Sequence, residues 1–343
     1  SSRRRHTRYG TVTGVQTCAL PIYGNAPSAT EHRTELRRTW AAPLPGKILV
    51  VLDQERMLAE AVFLTEDGHA LERSLISEVL NSVKPRDVWI ADRNFSTVGF
   101  LTGIHQRGGC FVIRQHGALQ GRLIGRRRKV GSGSTCLVSE QKICLTEQKN
   151  GSPPEFRRIT VKLNQPTRDE DAELHILTNL PEADADAVTI AELDRKRWTI
   201  ETLFAEVTKT LQCEIETLGY PKAALFAFCL ALQASNAVAV LKAALRAVHG
   251  EDKVQQEVSG YFLSLEIKGV YGGMMIAIPE RNWRIFRKQS VPQLAALLIR
   301  MAGHAKLARY KKHPRGPKKP PPKKTAYKNG GHASTYKLIN GIE

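Results

Sequence analysis

The sequence lacks several patterns that would indicate a particular class of protein. Its six cysteines are scattered, and none stands in a CxxC or CxxH spacing, so neither a zinc site nor a disulfide framework is predicted. No uninterrupted apolar run is long enough to cross a bilayer, and the longest apolar stretch, residues 223–248, is broken by polar side chains. We therefore expect no membrane-spanning helix, and the cysteine usage fits a reducing compartment.

Acidic residues are the minority charge. The chain has 33 Asp and Glu against 51 Lys and Arg, which gives a formal net charge of +18. A basic excess of this size indicates an anionic partner, nucleic acid first. The chain is nevertheless 42% hydrophobic over 343 residues, so it is long and apolar enough to fold around a substantial core.

The first residues do not resemble a fold element or a signal peptide. An arginine-rich start is present, but no apolar segment follows it. Residues 15–22 instead resemble the translation of a common sequencing adapter, so we expect residues 1–22 to be non-native, disordered and outside the fold. The alternative is an ordinary basic tail. The adapter's last base would turn an Asp codon at position 23 into a Tyr codon, and residue 23 is Tyr.

The rest of the chain follows a regular order of strands and helices. Residues 47–53, 58–65 and 87–92 predict strands, residues 71–83 and 96–106 predict helices, and residues 110–172 alternate in short strand-like pieces. Residues 122–129 predict a basic loop inside that β-rich region. A strand over residues 173–178 is followed by predicted helices over residues 189–211, 222–248 and 291–302.

This order predicts an α/β protein with an RNase H-like core, a mixed sheet flanked by helices, and an inserted β-rich subdomain. The predicted segments are residues 23–109 (first part of the core), 110–172 (insertion), 173–250 (second part of the core), 251–305 (helical region) and 306–343 (basic disordered tail).

Two acidic residues stand where chemistry could occur. Asp92 ends an otherwise apolar strand, and Glu201 lies four residues after Arg197 in a predicted helix. Carboxylates that converge from rigid elements can hold the divalent cations used in phosphodiester chemistry. The structural alternatives are a helix-capping or surface Asp92 and a surface ion pair between Arg197 and Glu201.

The sequence motifs around these residues resemble those of a known protein family. Residues 90–95 (Ile-Ala-Asp-Arg-Asn-Phe) and 197–204 (Arg-Trp-Thr-Ile-Glu-Thr-Leu-Phe) are similar to the second-Asp and Glu motifs of insertion-sequence-4-like DDE transposases. Residues 25–33 resemble the stretch after that family's first catalytic Asp, and residues 313–320 and 331–335 resemble its C-terminal end. The resemblance covers residues 23–343 and implies a chain truncated at its N-terminus.

The resemblance implies an Asp-Asp-Glu triad that binds two Mg²⁺ ions, with Mn²⁺ as an alternative. Asp92 and Glu201 would be catalytic and metal-binding, and Arg197 would hold a DNA phosphate. Double-stranded DNA, as transposon ends and target, is the implied partner, with no membrane and with a homodimer on DNA. A bacterial cytoplasmic protein associated with the nucleoid is implied. Further DNA-binding candidates are Lys209, Arg93, Arg126, Arg127 and Arg128.

The sequence departs from the family pattern at three positions. The first Asp would fall at Tyr23, whose neutral phenol is a poor Mg²⁺ ligand. The signature Tyr would fall at Asp194, and the signature Lys at Thr208, one residue before Lys209. Asp53 could substitute for the first Asp, but its strand is the second of the expected order. The chain as written is therefore expected to be inactive.

Two other functions remain open at this point. The chain could be a basic DNA- or RNA-binding protein in which Asp92 and Glu201 are structural, or a nuclease of the same fold that cuts without transposing. The basic segments at residues 122–129 and 311–328 favour phosphate contacts through counterion release in each case. A short distance between the two carboxylates would favour the enzyme.

Overall fold

The computed structural model describes residues 12–19, 46–133, 136–145, 154–164, 172–198, 203–204, 206–207, 220–313 and 335–341. The strands in these residues are β1 Val12–Ala19, β2 Lys47–Asp53, β3 Leu58–Thr65, β4 Val88–Ala91, β5 Cys110–Arg114, β6 Gly121–Gly133, β7 Cys136–Leu145, β8 Glu155–Leu163 and β9 Glu173–Thr178. The helices are α1 Ile76–Asn81, α2 Val98–Gln106, α3 Ala187–Arg195, α4 Pro221–His249, α5 Glu251–Glu257, α6 Gly260–Ala277, α7 Glu280–Arg287, α8 Val291–Gly303 and α9 Thr335–Asn340.

The strands form one mixed sheet in the order β3-β2-β1-β4-β5-β9-β8-β7-β6. Three antiparallel strands (β1 to β3) stand beside two parallel ones, because β1 runs parallel to β4 and β4 runs parallel to β5. This arrangement, with helices on both faces, confirms the predicted mixed α/β architecture of an RNase H-like core.

β1 lies within the segment that the sequence analysis set aside from the fold. Its backbone pairs with β2, where Gln16 stands opposite Val50, and with β4, where Val15 stands opposite Ala91. Residues 12–19 therefore occupy an interior position of the sheet, between β2 and β4. The adapter origin of residues 1–22 stays a prediction, and residues 1–11 and 20–22 lie outside the described part of the chain.

One face of the sheet is covered by α1 and α2. Alternate residues of β2 and β4, among them Leu49, Val51 and Trp89, point into a buried cluster that also holds Phe100 and Ile104 of α2. The predicted helix over residues 71–83 is shorter, a 3₁₀ turn at Glu72–Leu75 followed by α1. The side chain of Thr97 caps α2 by accepting from the backbone N–H of Phe100 at 3.3 Å.

The opposite face is covered by α3 and α4. α3 packs Ala187 and Ile190 against Ile90 of β4, and α4 packs Leu225 and Phe228 against β2. By length and composition alone α4 could cross a membrane. In this fold its apolar residues instead form one of the main contacts with the sheet, as expected of the core helix predicted over residues 222–248.

The inserted strands do not form a separate layer. β6, β7 and β8 continue the core sheet through β9, which pairs with β5. The prediction of a basic loop at residues 122–129 is wrong, because these residues belong to edge strand β6. Most residues of β6 between positions 122 and 129 are exposed, so this part of the strand has no apolar alternation to mark it.

Helices α5 to α8 occupy the predicted helical region of residues 251–305. The predicted disordered tail has ordered parts at both ends: Lys311 bridges to Val258, the backbone N–H of Lys312 donates to the carbonyl of Glu257 at 2.7 Å, and α9 lies within residues 335–340. Residues 314–334, which hold most of the tail's lysines, are outside the described residues.

Candidate functional site

Asp92 lies at the carboxyl edge of the sheet. All four residues of β4 are buried, and Asp92 follows them with extended backbone (φ −74°, ψ 164°) before a 3₁₀ turn at Arg93–Phe95. The backbone N–H of Phe95 donates to the carbonyl of Asp92 at 3.0 Å, which holds the turn. The carboxyl ends of parallel strands are where open α/β sheets place their ligands, and the Asp92 side chain is 32% exposed there.

Arg197 meets Asp92 from the helix layer. It lies in the 3₁₀ turn Lys196–Trp198 that continues α3, and its Nη1 is 3.4 Å from Oδ1 of Asp92. The Arg197 side chain is only 8% exposed. The guanidinium is therefore buried, and the carboxylate of Asp92 balances its charge.

A second ion pair joins the same two layers beside the first. Arg114, the last residue of β5, donates from Nε to Oδ1 and Oδ2 of Asp194 at 3.1 and 3.0 Å, and from Nη2 to Oδ2 at 2.7 Å. Because Ala91 pairs with Ile113, Arg114 and Asp92 stand at the same level of neighbouring strands. Asp194, at the position of the family's signature Tyr, is 3% exposed and fastens the end of α3 to this edge.

Comparison with known families decides the assignment. The sequence model described as "Transposase DDE domain" matches residues 29–235, which is more than half of the chain and includes β2 to β9, α3 and the first half of α4. This chain belongs to the DDE transposase domain family. A search of curated proteins found no match. The family assignment makes the DDE domain's chemistry phosphoryl transfer on DNA, and such domains generally use divalent metals.

The structure covers only part of the predicted triad. Asp92 is placed as described, whereas Glu201, Lys209 and Tyr23 lie outside the described residues. Residues that flank Glu201 in the sequence are described. Arg197, four residues before it, contacts Asp92, and Leu203, two residues after it, is buried against β2.

Asp53 is not a substitute for the first Asp. It ends β2 in alternation with Leu49 and Val51, which face the α1–α2 side, whereas Arg197 meets Asp92 on the α3 side. Its carboxylate is already used within the turn that follows, where Oδ1 accepts from the backbone N–H groups of Glu55 and Arg56 at 2.9 and 3.0 Å. Asp53 is therefore a turn residue.

The described donors do not fit a site for two metal ions. Two ions need several converging carboxylates. Within the described ranges no group of three or more His, Cys, Asp or Glu could hold an ion, and β1 has no carboxylate in its sequence. At the carboxyl edge of the sheet, Asp92 forms an ion pair with Arg197.

The basic residues of β6 divide into two groups. Arg127 donates to Ser139 at 2.6 Å and lies 3.5 Å from Glu173, and Arg128 pairs with Glu182 at 2.7 Å. The hydrogen bond and charge of Glu182 raise the pKa of Arg128 above its ordinary value. Two further arginines, Arg122 and Arg126, are exposed and make no ion pair with any residue that the structure describes.

Several structurally important charges have no sequence signal. Arg157 is 12% exposed and binds Glu140 through two hydrogen bonds of 2.7 and 3.0 Å, while its Nη1 donates to the carbonyls of Leu180 and Ala185. These contacts tie β8 to the loop before α3. The partners are separated by 17 to 28 residues, so no local spacing predicts them.

Proposed function

We propose that this chain is an insertion-sequence-4-like DNA transposase that, with its present sequence, binds DNA without cutting it. The observation that carries the proposal is the contact between Asp92 and Arg197 at the carboxyl edge of a DDE domain. Cut-and-paste transposition, with hydrolysis at the element's ends followed by strand transfer, is the reaction of the proposed group. The neutral phenol of Tyr23 does not supply the first carboxylate that this reaction requires.

We assign the remaining acidic role to Glu201. Four residues earlier Arg197 contacts Asp92, and two residues later Leu203 is buried against β2, so both flanks belong to the same face of the sheet. Asp92, Glu201 and a carboxylate restored at position 23 would form the donor set for two Mg²⁺ ions, with Mn²⁺ as a substitute. Lys209 and Arg197 would act on the DNA beside them.

The proposed DNA surface includes the free cations of β6. Arg122, Arg126 and Lys129 are exposed on the edge strand, and Arg93 is exposed next to Asp92. Guanidinium and ammonium groups without protein partners can replace the counterions of DNA phosphates. Arg127 and Arg128 have partners within the protein, so we propose that they mainly hold the inserted strands together. The alternative role of these charges is to keep the edge strand from pairing with another sheet.

The dependence of DNA affinity on salt tests the β6 surface. Each phosphate contact contributes about 0.9 to the slope of log K against log salt, so Arg122→Ala with Arg126→Ala should lower the slope by about 2. Arg128→Ala is the matched control, because it removes the same charge from a residue engaged by Glu182. An unchanged slope in the double variant would leave β6 with the edge-protection role alone.

Cleavage assays test the catalytic part of the proposal. Tyr23→Asp, in a chain whose native upstream segment is restored, should give Mg²⁺-dependent nicking of a plasmid that carries the genomic flanks of this reading frame, whereas the same chain with Tyr23 should bind it without nicking. Tyr23→Asn is the control, since it provides an amide of the same shape without the charge. A Tyr23→Asp protein that binds the flanks but never cuts them would refute the assignment of position 23.

A further inference from the structure

A row of polar side chains crosses β8 and β9 on the same face of the sheet as α1 and α2. Phe156 of β8 and Leu177 of β9 belong to the buried cluster on that face. Alternation along the two strands places Arg158, Thr160 and His175 on it as well. Oγ1 of Thr160 lies 3.2 Å from Nδ1 of His175, its partner in the sheet register. Arg158 and His175 are only half-buried, so solvent reaches this polar part of the face.

The guanidinium of Arg158 is held in place without a carboxylate. Its Nε donates to Oε1 of Gln115 at 2.7 Å, and Gln115 is fixed in turn because its Nε2 donates to the carbonyl of Leu119 at 3.0 Å. The Nη groups of Arg158 form no hydrogen bond or ion pair with any residue that the structure describes. A positioned arginine whose outer N–H groups are available is a suitable donor for an anion such as phosphate.

Cations outnumber carboxylates around Arg158. Arg127 of β6 lies 3.5 Å from Glu173, and Lys162 of β8 stands opposite Glu173 in the sheet register. Lys129, two residues after Arg127, alternates onto the same face and is exposed. Within the described residues of β6 to β9, Glu173 is the one carboxylate on this face, against four cations. Such an excess of positive charge favours an anionic ligand.

We propose that this cluster binds a phosphate group, with Arg158 as the main ligand and His175 as a second donor that takes up a proton on binding. Burial lowers the pKa of His175 below its ordinary value, and the charges of Arg158 and Arg127 lower it further, against the opposing effect of Glu173. The imidazole of the unliganded protein is therefore neutral at pH 7. A bound phosphate adds negative charge beside the ring and raises its pKa, so affinity increases as the pH falls through the pKa of the liganded protein.

The phosphate site lies at the edge of the sheet that carries Asp92. Gln115 directly follows Arg114, the last residue of β5, and its backbone N–H donates to the carbonyl of His175 at 2.8 Å. The site is on the opposite face of the sheet from Arg197. Both the DNA backbone and free phosphate carry the group that these residues would recognise, so the test must separate the two sources. The inference goes beyond the proposed catalytic function and does not require it.

The titration of His175 tests the site in the full chain. In histidine-labelled protein, NMR should show that the pKa of His175 rises by on the order of one pH unit when inorganic phosphate replaces chloride at constant ionic strength. Such a rise corresponds to about tenfold tighter binding to the protonated form. His175→Gln identifies the signal. A short DNA duplex takes the place of phosphate in a second titration: a rise with DNA assigns the site to the DNA backbone, and a rise with inorganic phosphate alone assigns it to free phosphate.

Variants of the arginines separate a built site from general attraction of anions. Arg158→Gln should abolish the rise, and Arg158→Lys, which keeps the charge but loses the Nη donors, should retain only part of it. Arg128→Gln is the matched control, because Arg128 pairs with Glu182 on the α3 side, and it should leave the rise unchanged. A pKa of His175 that neither phosphate nor DNA changes in the original chain overturns the proposal, and so does an equal rise in Arg158→Gln. A chain that binds DNA without any response of His175 overturns this inference and leaves the proposed function standing.

Discussion

Removal of the guanidinium from Arg114 should destabilise the DDE domain through Asp194. In Arg114→Met the Asp194 carboxylate, 3% exposed, would lose its partner in the ion pair. Breaking a buried pair typically costs about 3–5 kcal/mol. Arg114 itself is 22% exposed, so water reaches its end of the pair, and we expect the lower end, about 3 kcal/mol. At about 2–4 °C per kcal/mol, the unfolding midpoint should fall by about 6–12 °C.

The matched variant separates the unpaired charge from general loss of packing. Arg114→Met combined with Asp194→Leu removes both charges and should recover most of the stability, since a buried ion pair and an apolar pair of similar volume are often close to equal. Urea unfolding followed by circular dichroism measures both free energies. A loss below about 1 kcal/mol in Arg114→Met would refute the reasoning, and so would a double variant as unstable as the single one.

Two further outcomes are expected. Asp186 caps α3 by accepting from the backbone N–H of Thr189 at 2.7 Å, which lowers its pKa, so its contribution is present above the unfolded pKa and is lost as the pH falls through the folded one. Asp186→Ala should therefore cost about 1 kcal/mol at neutral pH and less in acid, and equal losses at both would contradict this. The side-chain amide of Asn236 accepts a hydrogen bond from the backbone N–H of Ala59 at 2.8 Å and donates one to its C=O at 3.0 Å. Asn236→Ala should cost about 1–3 kcal/mol in urea unfolding, and a neutral result would show that water replaces the amide.

Local composition was sufficient to locate most of the core strands. The ranges predicted for β2, β3 and β9 match the structure, because short apolar runs between turn residues are a local signal for strands. The same pattern identified Asp92 as the acidic end of a buried strand, and the basic excess indicated DNA before any contact was known.

The sequence was a poorer guide to β6 and to the ends of the helices. A run of exposed arginines resembles a loop, and β6 becomes a strand because β7 pairs with it. Residues 189–211 were predicted as one long helix, yet α3 ends at Arg195 and a 3₁₀ turn carries Arg197 toward Asp92. Tertiary contacts override helical propensity at such ends.

By itself, the amino-acid sequence determined the class of fold, the order of most core elements, the family and the identity of the acidic candidates, because these depend on residue type and short spacing. Only the tertiary structure decided which charges meet. Arg114 and Asp194 are 80 residues apart, and Asp53 and Asp92 differ in their contacts because alternation directs them to opposite faces of one sheet. Such pairings arise from strand order and register, which bring together side chains that no local pattern connects.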